Sequence, residues 1–200
     1  GYKILLNGRE RFLRLVLDQG YYPDGIYTAP SDDALRRDIK ISKEMGFDGA
    51  RLHQKVFEPR FLYWADRLGY LVTAEYADWG ADLSNPMARE ALLDEWIEFI
   101  ERDINHPSII IWTPFNERVY KRRDEHIADF LRRIYWITKS LDPTRPVIDS
   151  SGYVHVVTDI YDIHDYEQDA SAFSAHYDEF GRTGRGLWTN FAEESVAYGG

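Results

Sequence analysis

A polar pair, Asn116 and Glu117, follows a short apolar run in this chain. The run extends from Ile109 to Trp112 and comes after a long helical pattern, which is typical of a buried parallel strand. In α/β proteins, the carboxyl ends of parallel strands carry the chemistry. A carboxylate there could act as a general acid, because burial beside Trp112 would raise the pKa of Glu117.

A structural role competes with this chemical one. Asn116 and Glu117 could cap a following helix, or Glu117 could pair with the neighbouring Arg118. Short polar and acidic side chains are common at helix starts. The pair alone favours the structural role, so the chemical role depends on the elements around it.

The elements that would position this pair alternate along the chain. Asn7–Gly8 lies between two alternating segments, which is the strongest short-range signal for a hairpin. Leu35, Ile39 and Met45 mark the buried face of a first helix. The patterns predict strands at 12–17, 47–53, 70–75, 109–113, 146–148 and 159–163, helices at 32–45, 59–68, 86–104, 124–141 and 170–180, and an exposed loop at 181–186.

Strands that alternate with helices predict βαβ units and a parallel sheet. About six strands are fewer than the eight of a complete (β/α)₈ barrel. A doubly wound sheet is the alternative, although no glycine-rich phosphate loop follows the first strand. We therefore expect an α/β fold of the TIM-barrel type, in which residues 1–200 are the N-terminal portion, truncated before the seventh strand.

Composition narrows the possible partners. The 200 residues suffice for one domain, and the net charge of -10 argues against nucleic acid and anionic membranes as partners. No cysteine is present, which excludes disulfides and thiolate metal sites. The chain opens inside a hairpin pattern, so we expect an excised piece of a longer protein and leave its compartment open.

Three segments carry a family resemblance. They are the LNG hairpin, the stretch GFDGARLHQKVFEPRFLYWADRLGYLV, and HPSIIIWTPFNE, and they occur in that order. Together they resemble the catalytic barrel of glycoside hydrolase family 2, the β-galactosidase and β-glucuronidase group, from about Leu6 to Asp169. The Trp-x-x-x-Asn-Glu ending is the most specific part.

The resemblance implies roles for the polar pair. Glu117 would be the general acid/base of a retaining β-glycosidase, and Asn116 would hold the sugar 2-hydroxyl. The family's second glutamate, the nucleophile, ends the seventh barrel strand, and we find no match for it in this sequence. We therefore expect the nucleophile beyond Gly200 and little activity from these residues alone.

No cofactor or metal is expected. Some β-galactosidases of the family carry a magnesium-binding Glu-x-His pair after the third strand. The corresponding region here, Tyr76 to Gly80, has no such pair. The His, Asp and Glu spacing elsewhere does not resemble a metal-ligand motif.

Arg51, His53 and Glu75 end two neighbouring predicted strands. Arg51 is expected to orient a catalytic carboxylate, His53 to bind a sugar hydroxyl, and Glu75 to be a sugar ligand. The family commonly places this histidine one position later, which weakens the match of His53. A structural ion pair between Arg51 and Glu75 is the alternative, and the two roles are compatible.

Further substrate-binding candidates are Trp112, His164 and Tyr166, the last two at the end of the predicted sixth strand. His164 could instead be a structural histidine. Trp79, after the third strand, could stack on a sugar or simply pack in its loop.

Three functions remain open at this point. The first is a β-glycosidase barrel that binds a carbohydrate substrate. The second is a carbohydrate-binding module without chemistry, and the third a structural barrel domain. Open strand edges of a partial barrel make a homo-oligomer possible.

Overall fold

The computed structural model describes residues 3–118 and 124–189. Residues 121–123 are Lys-Arg-Arg, a basic run before a helix for which the sequence predicts a solvated charge run, and they lie outside the described residues. The strands are β1 Leu5–Leu6, β2 Arg9–Glu10, β3 Leu15–Asp18, β4 Gly49–Leu52, β5 Leu71–Glu75 and β6 Ile109–Thr113. The helices are α1 Asp32–Glu44, α2 Pro59–Leu68, α3 Pro86–Asp103, α4 Glu125–Leu141 and α5 Ala170–Thr183.

The hairpin at the start of the chain is confirmed. β1 and β2 pair antiparallel, with Leu6 opposite Arg9. Asn7 and Gly8 both have positive φ, 52° and 75°, as a tight two-residue turn requires. This hairpin stands apart from the main sheet.

The main sheet is parallel and follows the chain, in the order β3-β4-β5-β6. Helices α1, α2 and α3 each lie between consecutive strands of this sheet, so its four strands end at the same edge. Val147 then forms an isolated parallel bridge with Trp112, and Ser151 forms another with Asn116. The sheet therefore continues past β6 in the sense of a barrel, and the TIM-barrel type fold is confirmed.

Local sequence explains where the helices begin and end. The Ser31 side chain accepts a hydrogen bond from the Ala34 N–H and caps α1. Pro59 opens α2, and Gly69, in the left-handed conformation, closes it. Met45, expected on the buried face of α1, is 71% exposed because α1 ends before it, and that prediction is wrong.

The core lies between the sheet and its helices. Trp96 of α3 is fully buried and donates its indole N–H to Thr138 of α4, at 2.8 Å. Its ring packs against Trp112 of β6 at a centroid distance of 6.1 Å. None of the described helices is long and apolar enough to cross a membrane.

The prediction of a sixth strand at 159–163 is wrong. This segment has no strand pairing, and its aspartate side chains instead accept hydrogen bonds from neighbouring residues. Asp159 accepts hydrogen bonds from Val147 N and Tyr135 Oη, and Asp162 accepts one from Gly152 N. Side-chain acceptors thus replace the ladder that a strand would form.

Candidate active site

Glu117 lies just beyond β6 with an unusual backbone. Its φ is +51°, a left-handed conformation that is uncommon for a residue other than glycine. Its N–H donates to the Ser151 carbonyl at 2.9 Å, which holds this conformation in place. The side chain is 15% exposed, so the carboxylate is reachable from the mouth of the sheet.

Two donors hold the Glu117 carboxylate. His164 Nδ1 lies 2.7 Å from Glu117 Oε1, and the Tyr166 hydroxyl donates to the same oxygen. His164 and Tyr166 follow Ile163, far along the chain, so the fold brings these predicted site residues together. Tyr166 itself is largely exposed, which places it at the rim.

The pKa of Glu117 is lowered, not raised as the sequence suggested. Burial raises it, but the hydrogen bonds from Tyr166 and His164 outweigh that effect. Trp112 also does not line the carboxylate as the sequence suggested. Trp112 is fully buried, its ring contacts Phe99, and its indole N–H donates to Asp142 at 2.8 Å. Trp112 therefore points into the helix layer, and its contact with substrate stays a prediction, whereas the predicted rise in the pKa of Glu117 is wrong.

Arg51 of β4 connects the site residues. Its Nε donates to Glu75 at 2.8 Å, and its Nη2 donates to Asn116 Oδ1. Its Nη1 lies 2.7 Å from His164 Nε2. A guanidinium can only donate, so His164 Nε2 must accept and the ring proton must sit on Nδ1, facing Glu117. Arg51 thus orients the catalytic candidate through His164.

Glu75 is an internal partner of Arg51. It is fully buried, and its second oxygen accepts the Gln54 N–H at 3.0 Å. Burial raises the pKa of Glu75 to about 7, against the opposing effect of Arg51. The ion pair with Arg51 is the structural role that the sequence also allowed, and contact of Glu75 with a sugar stays a prediction.

His53 lies beside the site and is neutral. Burial, together with the nearby Arg51, lowers its pKa to about 4. Its Nδ1 lies 2.9 Å from Gln19 Nε2, and its ring stands perpendicular to Trp79. Only 6% of His53 is exposed, so contact with a sugar hydroxyl stays a prediction.

Asn116 is fully buried next to Glu117. Its Oδ1 accepts from Arg51, whereas its Nδ2 has no hydrogen-bond partner in the described part of the chain. A buried amide donor without a partner is uncommon.

Sequence reasoning missed Asp78. This buried carboxylate accepts the Asn116 N–H at 3.1 Å and the Arg118 Nε–H at 2.5 Å, and it also accepts a hydrogen bond from Gln54. Asp78 therefore fixes both residues that flank Glu117. An acid three residues after the end of β5 was the available signal. Because Asp78 already accepts these hydrogen bonds, the region 76–80 does not fit a family-type metal site. Residues 3–118 and 124–189 contain no cluster of metal-ligating side chains.

A second missed group lies behind His164. His155 is fully buried between Asp149, 2.7 Å from its Nδ1, and Asp162, whose carbonyl lies 2.9 Å from its Nε2. Ser151 Oγ donates to Asp162 at 2.5 Å and lies 3.1 Å from His164 Nε2. The hydrogen bonds of His155 with Asp149 and Asp162 thus stabilise the backbone around His164.

The fold and site define a class: a parallel barrel-type domain with a hydrogen-bonded carboxylate at its carboxyl edge. The chain matches the family description "Glycosyl hydrolases family 2, TIM barrel domain" over residues 27–184. It therefore belongs to glycoside hydrolase family 2.

Relatives are consistent with this membership. Beta-galactosidase 2 of Enterobacter cloacae is 32% identical over 78% of this chain and 15% of its own length. The beta-galactosidase of Pseudoalteromonas haloplanktis is 28% identical over 79% and 15%, respectively. The chain thus spans about a seventh of the length of these curated relatives.

Solved structures show the same barrel. The beta-galacturonidase of Eisenbergiella tayi, bound to galacturonate, superposes with a TM-score of 0.69 at 29% identity, over 76% of this chain and 27% of that one. The beta-glucuronidase of Parabacteroides merdae gives a TM-score of 0.78 at 22% identity, over 90% and 24%, and shows the fold alone.

Proposed function

We propose that this chain carries the general acid/base of a retaining β-glycosidase, and that Glu117 is that residue. The observation that carries the proposal is the Glu117 carboxylate at the carboxyl edge of the sheet, held by His164 and Tyr166 next to Asn116. At family level, glycosidase function is supported by the relatives.

The reaction needs Glu117 in two protonation states. In the first step it protonates the glycosidic oxygen as the leaving group departs, and in the second it accepts a proton from the attacking water. The donors His164 and Tyr166 favour the carboxylate, which is the form for the second step. For the first step, we infer that bound sugar displaces the exposed Tyr166 hydroxyl, so that burial raises the pKa of Glu117.

Asn116 and Arg51 would position the sugar and the acid. The partnerless Asn116 Nδ2 suits an acceptor oxygen such as the 2-hydroxyl, an interaction that strengthens in the transition state. Arg51 would keep the side chains of both Asn116 and His164 in position through its hydrogen bonds. We propose that the nucleophile comes from a later strand than those described, about 5 Å from Glu117 as retention requires.

A carbohydrate-binding domain without catalysis is the second candidate. It is favoured by the lowered pKa of Glu117, whose carboxylate already has two donors. Such a carboxylate could accept sugar hydroxyls without transferring a proton. The two candidates differ in turnover. Removing the negative charge of Glu117 lowers turnover in a glycosidase, whereas a binding domain has no turnover to lower.

The test is the activity of the full-length protein on aryl β-glycosides, starting with galactosides, galacturonides and glucuronides. Glu117→Gln is expected to lower kcat by about 10² to 10⁴ for the sugar that is cleaved. Glu101→Gln, on the exposed side of α3, is the matched control and should retain activity. Sugar binding without turnover in the unsubstituted protein would favour the second candidate.

A further inference from the structure

An exposed aromatic side chain lies beside the proposed acid. Trp79 follows β5, and 57% of its surface is exposed, whereas Trp96 and Trp112 are fully buried. Exposure alone does not indicate a role, since Trp136 is also exposed; the position of Trp79 next to the proposed acid does.

Trp79 is also fixed in place. Its backbone N–H donates to Gln54 Oε1 at 2.9 Å, and its indole N–H donates to the Asn116 carbonyl at 3.3 Å. Its ring stands at 87° to His53, with 5.3 Å between centroids. The carbonyl belongs to the peptide that joins Asn116 to Glu117, so the indole has a defined position relative to the acid.

We propose that Trp79 is the stacking surface for the leaving group of the substrate. This inference rests on the proposed function of Glu117. An acid that protonates the glycosidic oxygen lies next to that oxygen, so the departing group must pass beside Glu117 and its preceding peptide. The exposed indole therefore suits a leaving group with a flat apolar face, either an aryl group or the CH face of a second sugar.

Simple packing of the loop explains the contacts less well. The hydrogen bonds to Gln54 and Asn116 order the ring, but a residue that only packs a loop would bury it. Here the polar edge of the indole is satisfied while more than half of the side chain remains exposed. A rigid aromatic surface of this kind loses little conformational entropy when it binds.

The experiment compares two substrates of the full-length protein that differ only in the leaving group. These are the p-nitrophenyl and methyl β-glycosides of the sugar that is cleaved. Trp79→Ala should lower the ratio of their kcat/KM values up to about tenfold, and Trp79→Phe should restore most of it, since an aromatic contact contributes up to about 1.5 kcal/mol. The inhibition constant of the free monosaccharide should stay within about twofold.

Trp136→Ala is the matched control. Trp136 is 62% exposed on α4, and its ring packs against Tyr135 of its own helix, so the substrate ratio should not change. An equal loss for both substrates in Trp79→Ala, or a weaker monosaccharide inhibition, would overturn the assignment. Absence of turnover in the unsubstituted protein would instead refute the proposed function, and the leaving-group role with it.

Discussion

The Glu117 carboxylate is subject to opposing effects that separate residues control. Burial raises its pKa, while Tyr166 and His164 lower it. Both donors are distant in sequence, 49 and 47 residues from Glu117. The position of an acid and its neighbouring amide could thus be predicted from the run that ends at Trp112, but the direction of the pKa shift could not.

Removing the tyrosine donor should raise the pKa of Glu117. A hydrogen bond to a charged group contributes about 1.5–3 kcal/mol, so Tyr166→Phe should raise this pKa by at least about one pH unit. The measurement is a ¹³C NMR titration of the Glu117 carboxyl. Tyr177→Phe is the control, since that hydroxyl donates to Asp165 instead. An unchanged or lower pKa in Tyr166→Phe would show that burial and His164 alone govern the group.

The loop after β5 acts as a unit with the end of β6. Asp78 holds the Asn116 backbone and Arg118, and Gln54 connects it to β4. Local patterns predicted β3 to β6 to within a few residues, because apolar runs and glycine or proline boundaries specify them. They did not reveal Asp78, because its importance comes from partners about 40 residues away.

Loss of the Asp78 charge should destabilise this unit. Asp78→Asn leaves Arg118 without a carboxylate partner and should lower the free energy of unfolding by about 2 kcal/mol. Urea denaturation measures this change. Asp129→Asn is the control, because its ion pair with Arg132 is exposed and should contribute less than about 1 kcal/mol. Equal stabilities of the two variants would contradict a structural role for Asp78.

The whole molecule should lose stability at alkaline pH through His155. Burial lowers its pKa, but Asp149 and Asp162 outweigh burial and raise it to about 10. Since the folded value exceeds the unfolded value of about 6.5, the stabilisation is complete below pH about 6.5 and is lost as pH rises through 10. His155→Gln should cost about 3 kcal/mol at pH 6 and flatten the fall toward pH 10.

Urea denaturation at pH 6 and pH 9 gives both quantities, and His126→Gln, exposed on α4, should leave the stability at pH 6 unchanged. A parallel fall of stability with pH in His155→Gln and the unsubstituted protein would contradict the buried imidazolium.

Self-association through β3, an edge of the described parallel sheet, stays a prediction.

Part of the overall fold could be predicted from the sequence, and part could not. Alternation of strands and helices predicted the barrel type, and the order of three segments indicated the family. The segment 159–163 was mistaken for a strand because its apolar alternation is local, whereas its aspartates serve backbone donors from 147 and 152.

The most direct test of the account is the dependence of Glu117→Gln on the leaving group in the full-length protein. A variant without the acid should lose about 10² to 10⁴ in kcat/KM on a methyl β-glycoside, which needs protonation. It should lose far less in kcat/KM on a 2,4-dinitrophenyl β-glycoside, whose leaving group departs without a proton, because kcat/KM reports the first step and not the later attack of water in which Glu117 acts as base. An equal loss on both substrates, or full activity on both, would contradict the role of Glu117 as the general acid.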